Sequence, residues 1–291
     1  MGENVSTALI ERQDWLEPVA DGVQKAVTTA FESAGSGGQA VKNFLHGTWL
    51  GHPLHPVLTD IPVGSWTAAV VMDAMEEITG KRELGMGADA AIAIGLVGAV
   101  GSAVTGLTDW QATDGRARKI GIVHGLLNTV GALLFTGSLI ARKKDDRSLG
   151  RALSTLGFTV AMGAAYLGGK LVYTEQIGTD HTIGQQLPDE FRAVMRDDEL
   201  GEREMKRVDA DGARVLVARR DGQVYAITEV CSHLGGPLAE GKFEGCTVEC
   251  PWHGSRFSLE DGRVIDGPAT HPQPALDVRV RDGQIEVRAR K

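Results

Sequence analysis

Two short runs, Cys231-Ser232-His233 and Cys250-Pro251-Trp252-His253, stand sixteen residues apart, and each supplies one thiol and one imidazole. A [2Fe–2S] rhomb held by two thiolates at one iron and two imidazoles at the other can be clamped by such a pair of loops. Exchanging thiolate for neutral imidazole sheds negative charge and raises the reduction potential, so the chemistry implied is one-electron transfer. Zinc is the competing reading, because Cys and His pairs also bind it. Zinc sites, however, usually separate a Cys pair from a His pair. Gly235-Gly236-Pro237 and Gly254 flank the ligands and let backbone N–H groups turn towards bridging sulfides. The third cysteine, Cys246, leaves an odd number within twenty residues, which is a metal-site pattern and not a disulfide framework. Cys246 itself reads as a small strand residue, and His271, between Pro268 and Pro274, as a solvated loop residue.

The run CSHLGGPLAEG followed by CPWHGSRFSLEDGRV resembles the Rieske ferredoxin family over about residues 201–288. The resemblance implies that Cys231 and Cys250 bind the buried iron and that His233 and His253 bind the outer one. Quinol-oxidising cytochrome bc-type members add a cysteine to each loop and join the two by a disulfide; here those places hold Gly236 and Trp252. The chain therefore resembles the ferredoxin and oxygenase branch, which works at lower potential in reducing compartments. Ring-hydroxylating oxygenases of this superfamily carry a following domain with mononuclear iron. Only 38 residues follow His253, so stand-alone oxygenase activity is disfavoured, and an oxidoreductase or an electron-transfer component remains.

The element pattern around the loops is β. Arg214–Ala218 and Val224–Ile227 flank Asp221-Gly222, and Leu276–Val280 and Ile285–Val287 flank Asp282-Gly283, two hairpin signals. A small all-β domain is expected over 201–291, after a polar connection at 176–200.

The rest of the chain is apolar in blocks. Ala90–Thr108, Ile120–Ala141 and Ala152–Gly169 are charge-free runs of 19, 22 and 18 residues, each enough to cross a bilayer. Val57–Met75 is weaker, interrupted by Asp60 and Asp73 and containing Pro62. The expectation is an all-α four-helix transmembrane bundle over 41–175, with a buried soluble bundle as the alternative. Asp60, Asp73 and Asp109 read as helix-end or interhelical polar groups. Residues 6–31 read as one amphipathic helix, packed on its own protein or lying on the bilayer, ended by Gly35-Ser36-Gly37-Gly38, within an N-terminal segment 1–40. That segment shows no apolar signal-peptide core. The net charge of −8 argues against nucleic acid as a partner.

The segments FLHGTWLGHPLHPVLTDIPVG and DWQATDGRARKIGIVHGLLNT resemble a bacterial family of four-helix membrane domains of unknown function, over about residues 40–175. Members sometimes carry a C-terminal Rieske domain. Four histidines mark this half: His46, His52, His55 and His124. His124 lies inside a span, and intramembrane ionisable groups are functional candidates. His52 and His55 are placed in a loop by Pro53 and Pro56. The four are candidate ligands of haem b or another metal ion, with hydrogen bonding at helix ends as the alternative.

The function expected is membrane-anchored one-electron transfer between an unidentified donor and acceptor, in a bacterial cell membrane. A redox-sensing regulator is the alternative. Loop charges, seven basic residues against five, weakly place the termini outside. Outweighing that margin, the absence of an Arg pair in Arg142–Arg147 and of loop disulfides places the cluster domain in the cytoplasm.

Overall fold

The computed structural model describes residues 5–290; the first four residues of the N-terminal segment, and Lys291 of the β domain, lie outside it. The chain forms two compact units. One comprises the residues up to Gly38 with Leu54–Gln176, and the other Gln39–Pro53 with the residues from Ile177 onward. The sequence places 41–53 with the helices, whereas the structure packs that stretch in the β-rich unit.

Seven α-helices lie among the described residues: α1 (Val5–Glu11), α2 (Leu16–Ser33), α3 (Gly35–His46), α4 (Leu54–Thr79), α5 (Arg82–Trp110), α6 (Gly115–Lys143) and α7 (Arg147–Tyr173). The single helix expected over 6–31 is instead α1 and α2, broken near Arg12–Trp15. Leu16 and Ala20 of α2 are buried against Trp110 and Ile122, so that face packs on its own unit. The chain breaks again at Gly35, where φ is +55°, but Ser36, Gly37 and Gly38 open α3. His55 belongs to α4 and not to a loop. Pro56 falls in the first turn, where a missing N–H costs no helical bond.

Three helices, α5, α6 and α7, are long and apolar enough to cross a membrane; α4 is not among them, and the expected count of four is not matched. Asp60, Asp73, Glu76 and Glu77 all lie on α4. The unit exposes large apolar side chains and buries charged ones at one end. Ile78 and Val97 are 84% and 76% exposed, while Asp73 and Arg142 are 5% and 7% exposed. Its apolar centre is the stacked pair Trp66 and Phe135, with ring centroids 4.2 Å apart, beside Ala69, Ala88, Ala91 and Ile92. At one end the Arg142 guanidinium donates to Asp73 at 2.8 Å, to Asp89 at 2.9 Å and to Ser154 at 3.1 Å. Arg147 donates to Glu76 at 2.9 Å and to Asp89 at 3.2 Å. All four long helices contribute to this network.

The second unit holds ten strands among the described residues: β1 (Arg192–Arg196), β2 (Met205–Ala210), β3 (Ala213–Arg220), β4 (Gln223–Thr228), β5 (Lys242–Glu244), β6 (Thr247–Glu249), β7 (Arg256–Ser258), β8 (Val264–Asp266), β9 (Ala275–Arg281) and β10 (Gln284–Ala289). Six form an antiparallel sheet in the order β1-β10-β9-β4-β3-β2, and four a second sheet in the order β5-β6-β7-β8. The two expected hairpins are β3–β4 and β9–β10. Their Asp-Gly turns have φ of 51° and 76°, and of 51° and 72°, the left-handed pair that matches strand twist. The polar connection at 176–200 is structured in part, because β1 pairs with β10. Phe191 stacks against the guanidinium groups of Arg279 and Arg288 at 4.0 and 4.4 Å.

Candidate metal centre

The loop after β4 carries Cys231 and His233, and the loop between β6 and β7 carries Cys250 and His253. The two loops are the same turn. The Cys231 N–H donates to the Gly236 carbonyl at 2.9 Å, and the Gly235 N–H to the Cys231 carbonyl at 2.9 Å. Likewise the Cys250 N–H donates to the Ser255 carbonyl at 2.8 Å, and the Gly254 N–H to the Cys250 carbonyl at 3.1 Å. Each turn closes through a glycine four residues after its cysteine, at φ of 77° for Gly235 and 74° for Gly254, a conformation that L side chains disfavour.

A third segment braces both turns. The Ser232 hydroxyl donates to the His271 carbonyl at 2.7 Å, and the Gln273 amide to the Val230 carbonyl at 3.1 Å. Thr228 donates to Gln273 at 2.9 Å, and the Ala269 N–H to the Ser255 hydroxyl at 3.0 Å. Ser232 and Ser255 stand beside the Cys/His runs in the sequence, but nothing local marked Thr228 or Gln273, because these bonds join distant positions.

The residues fit a two-iron centre. Among the described residues no three His, Cys, Asp or Glu side chains converge on one ion; the four candidate residues stand instead as a thiol pair and an imidazole pair. The thiols of Cys231 and Cys250 hydrogen bond to each other. That bond pushes Cys231 up, with burial adding to it, and brings Cys250 down to about 7 against the effect of burial. Backbone N–H groups of His233 and Leu234 donate to the Cys231 sulfur, and those of Trp252 and His253 to the Cys250 sulfur. The His233 and His253 rings stand edge to face with centroids 5.0 Å apart, within reach of one metal at bond lengths of about 2 Å. Nδ1 of His233 is buried without a hydrogen-bond partner. Burial holds this imidazole well below its usual pKa, so its ring is neutral. A Cβ on Gly236 would lie 2.8 Å from the Cys250 sulfur. Trp252, beside the centre, is 57% exposed.

The other histidines separate. His46 and His52 belong to the β-rich unit and His55 and His124 to the helical one. His55 and His124 stand edge to face at 6.5 Å, with Nδ1 of each against a helix carbonyl, Ser102 at 2.9 Å and Ala164 at 2.8 Å. The Asn128 amide lies 3.1 Å from Nε2 of His124. Exposed His52 turns its Nδ1 to the Pro53 carbonyl. Cys246 lies between β5 and β6, hydrogen bonded to Tyr225.

Two antiparallel sheets, two matching Cys/His turns and a bracing third loop define an iron–sulfur electron carrier. Residues 190–280 match the Rieske [2Fe–2S] domain, and the chain belongs to that family. Residues 51–181 match a family described as "Predicted membrane protein (DUF2231)". The chain is 35% identical to ferredoxin CarAc of Metapseudomonas resinovorans over 88 residues, 30% of this chain and 82% of that protein. It is 28% identical to human apoptosis-inducing factor 3 over 117 residues, 40% of this chain and 19% of the relative's length. Among solved structures, the ferredoxin of carbazole 1,9a-dioxygenase from Nocardioides aromaticivorans IC177 is 33% identical, covering 35% of this chain and all of that one, with a TM-score of 0.34. The Rieske domain of this chain serves one-electron transfer.

Proposed function

We propose that this protein is a membrane-anchored electron carrier. Cys231 and Cys250 hold one iron of a [2Fe–2S] cluster and His233 and His253 the other. The observation that carries this reading is the doubled turn, with its thiol pair and imidazole pair. When bound, the cluster supplies a one-electron couple. The chain's own residues supply N–H donors to the cysteine sulfurs, keep His233 neutral and leave Trp252 exposed beside the centre. Relatives named as dioxygenase ferredoxin components support an oxygenase-type acceptor, with a soluble reductase or a quinol as donor. Purified protein should contain two irons and two acid-labile sulfides per chain; stoichiometric zinc without iron after anaerobic expression would refute the assignment. Replacing His233→Cys should lower the midpoint potential where the cluster survives, because thiolate adds negative charge.

The anchor is the helical unit, with α4 as the fourth span beside α5, α6 and α7. Its apolar exterior and buried Asp73, Glu76 and Arg142 suit a hydrocarbon surround, where polar groups must be satisfied internally. The chain should resist carbonate extraction, and recovery in the soluble fraction without detergent would exclude the anchor. The Rieske domain faces the cytoplasm, so a C-terminal green fluorescent protein fusion should fluoresce and an alkaline phosphatase fusion should be inactive. The reverse pattern would place the domain outside.

A second redox centre has one observation in its favour, the His55 and His124 pair with Nδ1 of each held by a carbonyl. That is how ligating imidazoles are often oriented. A spectrum of detergent-purified protein without a Soret band would exclude haem b there.

A further inference from the structure

The imidazole side of the centre is furnished in part by residues outside the 190–280 stretch that matches the Rieske domain. Gln39, Asn43 and His46 share one face of α3 at i, i+4 and i+7. The Gln39 amide donates to Asn43 Oδ1 at 3.0 Å. Asn43 in turn donates to Asp266 at 2.8 Å and accepts from the Gly267 N–H at 3.0 Å, fastening both faces of its amide to the end of β8. His46 is 0% exposed, and its ring lies so close to Gly267 that a Cβ there would stand 3.0 Å from Cδ2. On the other flank the His181 N–H donates to the carbonyl of Ser232, between the first two ligands, at 3.1 Å. Beyond Gly267, the Ala269 N–H donates to the hydroxyl of Ser255, two residues after His253, at 3.0 Å.

We propose that Gln39–Pro53 is a built-in part of the cluster site. His46 is a positioning residue that, through Gly267 and the segment it opens, keeps water from the turn carrying His253. The inference rests on the electron-carrier reading above. With two thiolate and two neutral imidazole ligands the oxidised centre is neutral overall, and the reduced centre carries a single negative charge. Water therefore favours reduction, while burial opposes it.

The test uses the full chain in detergent, with iron and sulfide content measured first and the midpoint potential then followed by electron paramagnetic resonance. His46→Ala should admit water. Its potential should rise, and reduced protein in deuterium oxide should show stronger deuteron couplings than the wild type. Asn43→Leu removes both bonds to the end of β8 and should raise the potential in the same sense, by about a tenfold change in the reduction equilibrium, ~59 mV for one electron. This variant decides the matter even where His46→Ala fails to assemble. A fully loaded Asn43→Leu protein with unchanged potential and deuteron couplings overturns the proposal. Wild-type protein lacking iron and sulfide would instead sink the electron-carrier reading itself.

Discussion

Gly236→Ala is expected to leave the chain folded but nearly free of iron. The added Cβ would sit 2.8 Å from the Cys250 sulfur and 3.1 Å from the Trp252 ring. A free thiol could turn aside, but a sulfur bound to iron is fixed by its bond length. Overpacking of this kind costs about 1–3 kcal/mol, and at ~1.4 kcal/mol per decade the affinity for the cluster should fall by about five- to a hundredfold. Iron and sulfide per chain, with far-ultraviolet circular dichroism to verify the fold, measure the effect. Cys246→Ala is the control, since that thiol is hydrogen bonded to Tyr225; it should load normally. Full loading of Gly236→Ala would show that the loops are looser than the structure has them.

Arg142→Met should be the most damaging single change in the helical unit. Arg142 and Asp73 are both buried, and the substitution leaves Asp73 with the Ser154 hydroxyl at 3.1 Å as its remaining hydrogen-bond donor. Removing one partner of a buried pair costs about 3–5 kcal/mol. Thermal unfolding in detergent should show a large drop in midpoint. The double variant Arg142→Met/Asp73→Leu should recover much of it, because no buried charge is then stranded. A double variant no more stable than the single one would mean that packing, and not charge, governs this end of the bundle.

What the sequence disclosed follows from how local each feature is. The Asp221-Gly222 and Asp282-Gly283 hairpins were legible because a two-residue turn and its flanking strands carry their own signal. The two matching Cys/His turns were legible for the same reason, each pair lying within four residues. Strand β1 was not. Arg192–Arg196 is short and partly polar, and it becomes a strand through pairing with residues far along the chain. His46 was misplaced because it adjoins the apolar half in sequence, whereas its packing against Gly267 is a tertiary fact. The Gly-rich run looked like a terminator, yet only Gly35 takes a left-handed backbone there. The fourth span stood on a run interrupted by Asp60 and Asp73, and Asp73 proves to be held by Arg142.

Strand β10 lies between β1 and β9, although β1 leaves the ribosome far earlier. Some 90 residues separate β1 from its partner, on the order of 5–20 s of synthesis at about 5–20 residues per second. For that interval the edge of the half-made sheet has nothing to pair with, while the helical unit is already complete. Translation therefore imposes a schedule in which the helices settle first and the β domain closes last. A pause introduced between the codons for Arg196 and Gln284 should lengthen the time during which the nascent domain is open to proteolysis.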